Sequence, residues 1–153
     1  MRLRALLHRV LGLPSTRAIR GATTVMIDDP LDIDEAVAEL VDAITVRNGL
    51  SRGEIISAIF TVTADLSSTF PAGAARAAGW HEVPLLCTTE IPVPDGMPRC
   101  IRVLVHVERV WGQQGPRHVY LREAVALRPD LHLHIGPAPV GAFRDLIEQA
   151  AER

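Results

Sequence analysis

Residues 100–108 read CIRVLVHVE, and alternate positions are aliphatic: Ile101, Val103, Val105 and Val107 share one face, while Cys100, Arg102, Leu104, His106 and Glu108 share the other. A period of two marks a strand with one face against a core. Such a strand needs neighbours and a covering layer. The β-branched run TRAIRGATTVM at 16–26 predicts one neighbour, with Ile19, Thr23 and Val25 on one face and Arg20 on the other. IISAIFTVT at 55–63 is almost unbroken apolar sequence and predicts a strand buried on both faces. Residues 83–91 predict a third, and EAVAL at 123–127, after HVYL, a final one. Ile33, Ala36, Val37, Leu40, Val41 and Ile44 form one helical stripe. Asp32 with Glu35 reads as its cap and Asn48-Gly49 as its stop. Ser51 and Glu54 predict a short turn, and Phe70-Pro71 opens a helix of small residues, PAGAARAAG, ending at Gly79. The result is an α+β fold with a mixed β-sheet of about five strands and two to three helices. It has too few βαβ units for a doubly wound sheet.

The 153 residues suit a single domain. Residues 1–14, arginine-rich, acid-free and superficially like an organelle presequence, read as an amphipathic or loosely ordered N-terminal extension ending at Pro14. Residues 15–131 form the domain. Residues 132–153 form a C-terminal tail, in which Phe143, Leu146, Ile147 and Ala150 have helical spacing. The formal net charge of −2 argues against a dedicated nucleic-acid binder, and no apolar run approaches a membrane span. Cys87 and Cys100 make no disulfide framework and, with no secretory signal, read as reduced thiols of a cytoplasmic protein.

All sixteen basic residues are arginine. Coding bias in a GC-rich genome is the ordinary explanation, yet the consequence is chemical. Schiff bases, pyridoxal-phosphate lysines and P-loop lysines are excluded, and every permanent cation is a planar fork suited to carboxylates. Six arginines in residues 99–128 face only Glu108 and Glu123. The acids of residues 28–42 cluster at the start of the first helix, where its macrodipole accounts for them.

Other chemistries find little support. His132 and His134 are two apart, without a third metal ligand nearby. Cys87 has His81 and His118 as candidate bases but no signature around it, so a half-buried thiol is its default reading. Arg20, Arg102 and Glu90 stand out because they lie within or at the end of strand-forming runs. A buried arginine is costly unless paired, so these residues either reach solvent or meet an anionic ligand.

Five blocks occur in order: TRAIRGATTV at 16–25, TADLSSTFPAGAAR at 63–76, GWHEVPLLCTTEI at 79–91, RCIRVLVHV at 99–107 and RHVYLREAVALRPDL at 117–131. Together they resemble the monofunctional AroH-type chorismate mutases of the Bacillus kind, over about residues 16–131. The resemblance implies conversion of chorismate to prephenate in phenylalanine and tyrosine biosynthesis. The reaction is an intramolecular Claisen rearrangement with no cofactor, metal or covalent intermediate. It implies a homotrimeric pseudo-α/β barrel with active sites at subunit interfaces.

By that resemblance Arg102 hydrogen-bonds the ether oxygen and the side-chain carboxylate, and Arg20 and Tyr120 hold the same carboxylate. Glu90 accepts from the ring hydroxyl, with Cys87 beside it. Leu86, Cys87, Thr88 and Thr89 line the pocket, Phe70, Ala72, Arg76 and Leu127 close it, and Arg128 stands at its mouth. Regular alternation would point Cys87 and Glu90 oppositely, so this arrangement requires a bulge or strand end near Thr88-Thr89. Gly73 occupies a position where the family often has lysine. Two rival readings are a non-catalytic trimeric metabolite-binding module of the same fold and a cysteine-dependent hydrolase using Cys87.

Overall fold

The computed structural model describes residues 6–8 and 10–132. Five strands form one sheet: β1 (Ser15–Thr24), β2 (Ile55–Val62), β3 (Leu85–Thr89), β4 (Cys100–Arg109) and β5 (Val119–Tyr120), in the order β3-β2-β4-β1-β5. The sheet is mixed. β4 runs antiparallel to both β1 and β2, while β2 with β3 and β1 with β5 are parallel pairs. The alternating segment at 100–108 thus becomes a strand paired on both sides, with Ile101, Val103, Val105 and Val107 all buried beneath the helices.

Helix α1 (Pro30–Asn48) covers that aliphatic face with the expected stripe from Ile33 to Ile44. Its N-cap is Asp29 rather than Asp32: the Asp29 carboxylate accepts from Leu31 N–H at 2.9 Å and Asp32 N–H at 3.4 Å. Pro30 at the first helical position needs no amide partner, so the helix begins earlier than the Asp32-Glu35 spacing suggests. The stop at Gly49 holds, in the left-handed conformation with φ 56°. Ser51–Glu54 also behaves as expected, with Ser51 N–H donating to the Glu54 carboxylate at 2.9 Å. α2 (Pro71–Ala75) continues through a wider turn, Arg76–Trp80, to Gly79 at φ 112°. It packs on α1 and against β3 from the covered side. Asp28 accepts from the Ser67 and Ser68 amides at 3.0 and 3.1 Å, fixing the segment that leads into α2.

Two expectations need correction. β2 is buried on one face only: Ala58 and Phe60 are in the core, whereas Ile59 and Thr61 are half-buried. α1 and α2 lie on the other side, and a register shift between Ile55 and Ser57 leaves Ile56 exposed. EAVAL is not a strand. Residues Arg122–Leu127 form a 3-10 turn, entered through Arg122 at φ 50°. Glu123 N–H donates to Thr24 Oγ1 at 3.2 Å, capping the end of β1 instead of extending the ladder. α3 (Pro129–His132) follows. The expected helix in the C-terminal tail, and His134 with it, lie outside the described residues.

Candidate active site

Residues paired laterally in a sheet point to the same side. Following the registers across the sheet puts Thr88, Thr61, Arg102, Ala22 and Tyr120 in one row on the face away from α1. The adjacent row is Leu86, Ile59, Leu104 and Arg20. Residues distant in the chain therefore share one surface. A cleft of about 510 Å³ lies over it, lined by Arg20, Ala22, Ile59, Thr61, Arg102, Leu104, Tyr120, Leu127 and Arg128. A second, of about 830 Å³, lies on the other side of Arg102 among Thr89, Glu90, Asp65 and the loop from Ile91 to Pro98.

Glu90 turns toward Arg102 because β3 stops at Thr89. The Glu90 amide still donates to Val62 O at 2.9 Å, while its carboxylate accepts from Thr61 Oγ1 at 2.5 Å and meets Arg102 NH1 at 3.2 Å. The strand end required by the alternation is thus present. Arg102 Nε is buried and has no partner among the described residues. An orphan charged donor carries a desolvation cost that an anionic acceptor would relieve. Cys100 lies on the same strand face, where burial pushes its thiol pKa up and Arg102 partly opposes the shift.

Arg20 is held through its backbone: its N–H donates to His118 Nδ1 at 3.0 Å. Burial, then the charges of Arg20 and Arg128, push the His118 pKa down, favouring the neutral ring that this bond requires. Arg128 forms a forked pair with Asp130 at 2.7 and 2.9 Å. The face thus presents three guanidinium groups, a phenol and one anchored carboxylate over half-buried aliphatic side chains. Its chemistry suits a small, partly apolar organic anion.

The remaining site candidates are placed otherwise. Cys87 is in register with Phe60 and packs against the core from the covered side, so it lines neither cleft and is not beside the Glu90 carboxylate. Phe70 and Arg76 are exposed, Ala72 is buried and Gly73 has open space around it, all at α2 on the covered side; none lines either cleft. Thr61, Ile59 and Leu104 are not singled out as site residues by sequence, and His118 is named there only as a candidate base for Cys87. Their only signal is strand pairing, which spacing within one segment does not contain.

Fold and clefts together define a small α+β domain whose open sheet face suits an organic anion. Residues 16–131 match the family described as chorismate mutase type I. The chain is 53% identical over 116 residues to chorismate mutase AroH of Thermus thermophilus, covering 75% of this chain and 95% of that protein. It is 40% identical over 118 residues to chorismate mutase AroH of Bacillus subtilis (strain 168), covering 76% and 93%. The solved chorismate mutase from Clostridium thermocellum superposes with a TM-score of 0.69 at 44% identity, covering 72% of this chain and 98% of that one. The chain belongs to the type I chorismate mutase family. Membership makes it an isomerase of aromatic amino-acid biosynthesis.

Proposed function

We propose that the chain converts chorismate to prephenate on the open face of its sheet, with Arg102 as the principal electrostatic catalyst. The reaction breaks a carbon–oxygen bond and forms a carbon–carbon bond within one molecule. A protein can therefore accelerate it by holding the enolpyruvyl arm over the ring and by meeting charge that grows on the ether oxygen. Arg102 donates to that oxygen, Arg20 and Tyr120 hold the side-chain carboxylate, and Glu90 accepts from the ring hydroxyl. Thr89 lines the cleft on the Glu90 side, Leu86 and Thr88 continue the open face onto β3 outside both clefts, and Leu127 and Arg128 close the Arg20 side at its edge. We assign Cys87 no direct contact, because it lies beside Phe60 on the covered face. No step requires a metal or cofactor.

The observation that carries this reading is the cross-sheet row that sets Thr61 beside Arg102 and Tyr120 one strand further on across Ala22, with Glu90 fastened to Thr61 and Arg102. Phe70, Ala72 and Arg76 belong to the same site but come from a neighbouring copy. Their position on the covered side, together with the half-buried Ile59 and Leu104 on the open face, supports a homotrimer with composite sites. A cytoplasmic setting accords with the two free thiols, and no helix among the described residues is long and apolar enough to cross a membrane.

The decisive experiment follows chorismate absorbance after adding purified protein and compares Arg102→Lys with the parent chain. The parent should consume chorismate well above the spontaneous rate. Arg102→Lys should lose about a hundredfold or more in kcat, because an ammonium cannot reproduce the guanidinium fork. Tight chorismate binding without turnover would favour a non-catalytic binding module instead, and near-parental kcat in Arg102→Lys would remove Arg102 from its role.

A further inference from the structure

At the end of the sheet remote from the substrate cleft, arginines converge without enough carboxylates to balance them. Arg109 ends β4, seven residues beyond Arg102 and so about 23 Å further along the strand. It donates through NH1 to Asn48 O at 2.8 Å and Gly49 O at 3.0 Å, capping α1, and meets Glu54 at 3.4 Å. Its guanidinium lies 5.8 Å from the Trp111 ring centroid, and that of Arg17 lies at 5.7 Å. Trp111 is fixed by its indole N–H, which donates to Ser15 O at 2.8 Å. Arg117 is held through its backbone by Asn48, with the Arg117 amide on Asn48 Oδ1 at 2.8 Å and Asn48 Nδ2 on Arg117 O at 2.9 Å, and its guanidinium donates through NH2 to the neutral Gln114 Oε1, an acceptor that an anion would have to displace or share.

These groups surround an open cavity of about 450 Å³, whose lining includes Arg47, Arg109 and Arg117 and no carboxylate. Arg109 is accounted for by the helix end and Glu54. Arg47 is not. It stands in the last turn of α1 with NH1 buried and without an acceptor among the described residues, and burial lowers its pKa. A buried guanidinium N–H facing no acceptor, beside further cations on rigid elements, is an unfilled anion cradle.

We propose that Arg47, Arg109 and Arg117, beside Trp111, form a second anion site that takes a small, doubly charged oxyanion bearing phosphate or carboxylate groups. The fixed forks suit either chemistry, and the cavity is small and polar. It lies on the covered side of the sheet, distinct from the Arg102 face, and requires no part of the catalytic reading.

The test is titration calorimetry and thermal unfolding of the full chain with inorganic phosphate and, separately, with succinate, against chloride at constant ionic strength. Saturable binding of either anion with a rise in Tm is expected, and which anion binds identifies the headgroup chemistry. Arg47→Met and Arg117→Gln should each weaken the apparent affinity by about tenfold, the scale of one charge-assisted hydrogen bond. The catalytic cleft also attracts anions, so Arg102→Gln serves as the control and should keep the effect. Arg47→Met should retain parental turnover of chorismate. The proposal is overturned if neither anion binds, if binding survives both the Arg47 and Arg117 changes, or if Arg102→Gln alone abolishes it.

Discussion

Thr61 shows how much a single hydroxyl can decide. It donates to Glu90 at 2.5 Å, so the carboxylate that faces Arg102 is held from two directions. Without the hydroxyl, Glu90 keeps its ion pair but loses its lateral restraint. Thr61→Val should lower kcat/KM by about tenfold, the effect of one hydrogen bond to a charged group, and Thr61→Ser should recover most of it. His118 acts on Arg20 in a comparable way. Its ring accepts the Arg20 amide only when neutral, and its folded-state pKa lies below the ordinary 6.5. Its contribution to stability is therefore complete above pH 6.5 and is lost as pH falls through the depressed folded value. Thermal unfolding across pH 7 to 4 should show a drop in Tm that is smaller in His118→Gln. Arg20, Arg102 and Glu90 stand out in the sequence because charged residues in strand runs demand a reason, whereas Tyr120 is picked out only by the family resemblance. Thr61 does not stand out, since a threonine is unremarkable in any strand.

At the scale of elements, α1 lies close on β1 at Gly21. A Cβ placed on Gly21 would stand 2.8 Å from Ile44 Cδ1 and 2.9 Å from Val103 Cγ1, so the missing side chain lets the helix lie directly on the sheet. Gly21→Ala should cost about 1–3 kcal/mol in denaturant unfolding, as overpacking does in a filled core. Asp29→Ala should cost about 1 kcal/mol through the lost cap, whereas Asp32→Ala should cost less. The helix stripe and the β4 alternation were legible because their periods are local. The failures were also local patterns with a non-local outcome. EAVAL has the composition of a strand, but Thr24 Oγ1 captures the Glu123 amide and turns the chain. IISAIFTVT has the composition of a doubly buried strand, but α1 and α2 both lie on one side of it.

For the whole molecule, the proposed site residues divide between the two sides of the sheet. One chain carries Arg20, Arg102, Glu90 and Tyr120 on its open face and Phe70, Ala72 and Arg76 on its covered side. If copies complete one another, two separately inactive variants should complement. Unfolding Arg102→Gln and Arg76→Ala together and refolding the mixture should restore activity above that of either alone, while sedimentation reports a trimer. Absence of any recovery, with trimers formed, would place both groups in one chain's site. By itself the sequence determined the class of fold, the central strand, the covering helix and the charged residues worth explaining, because these follow from periodicity and from the cost of burying charge. Only the tertiary structure decided which of those residues meet. Register between strands far apart in the chain set Thr61, Arg102 and Tyr120 in one row and turned Cys87 to the other face. Pairing of that kind is fixed by contacts across the sheet, which no single segment encodes.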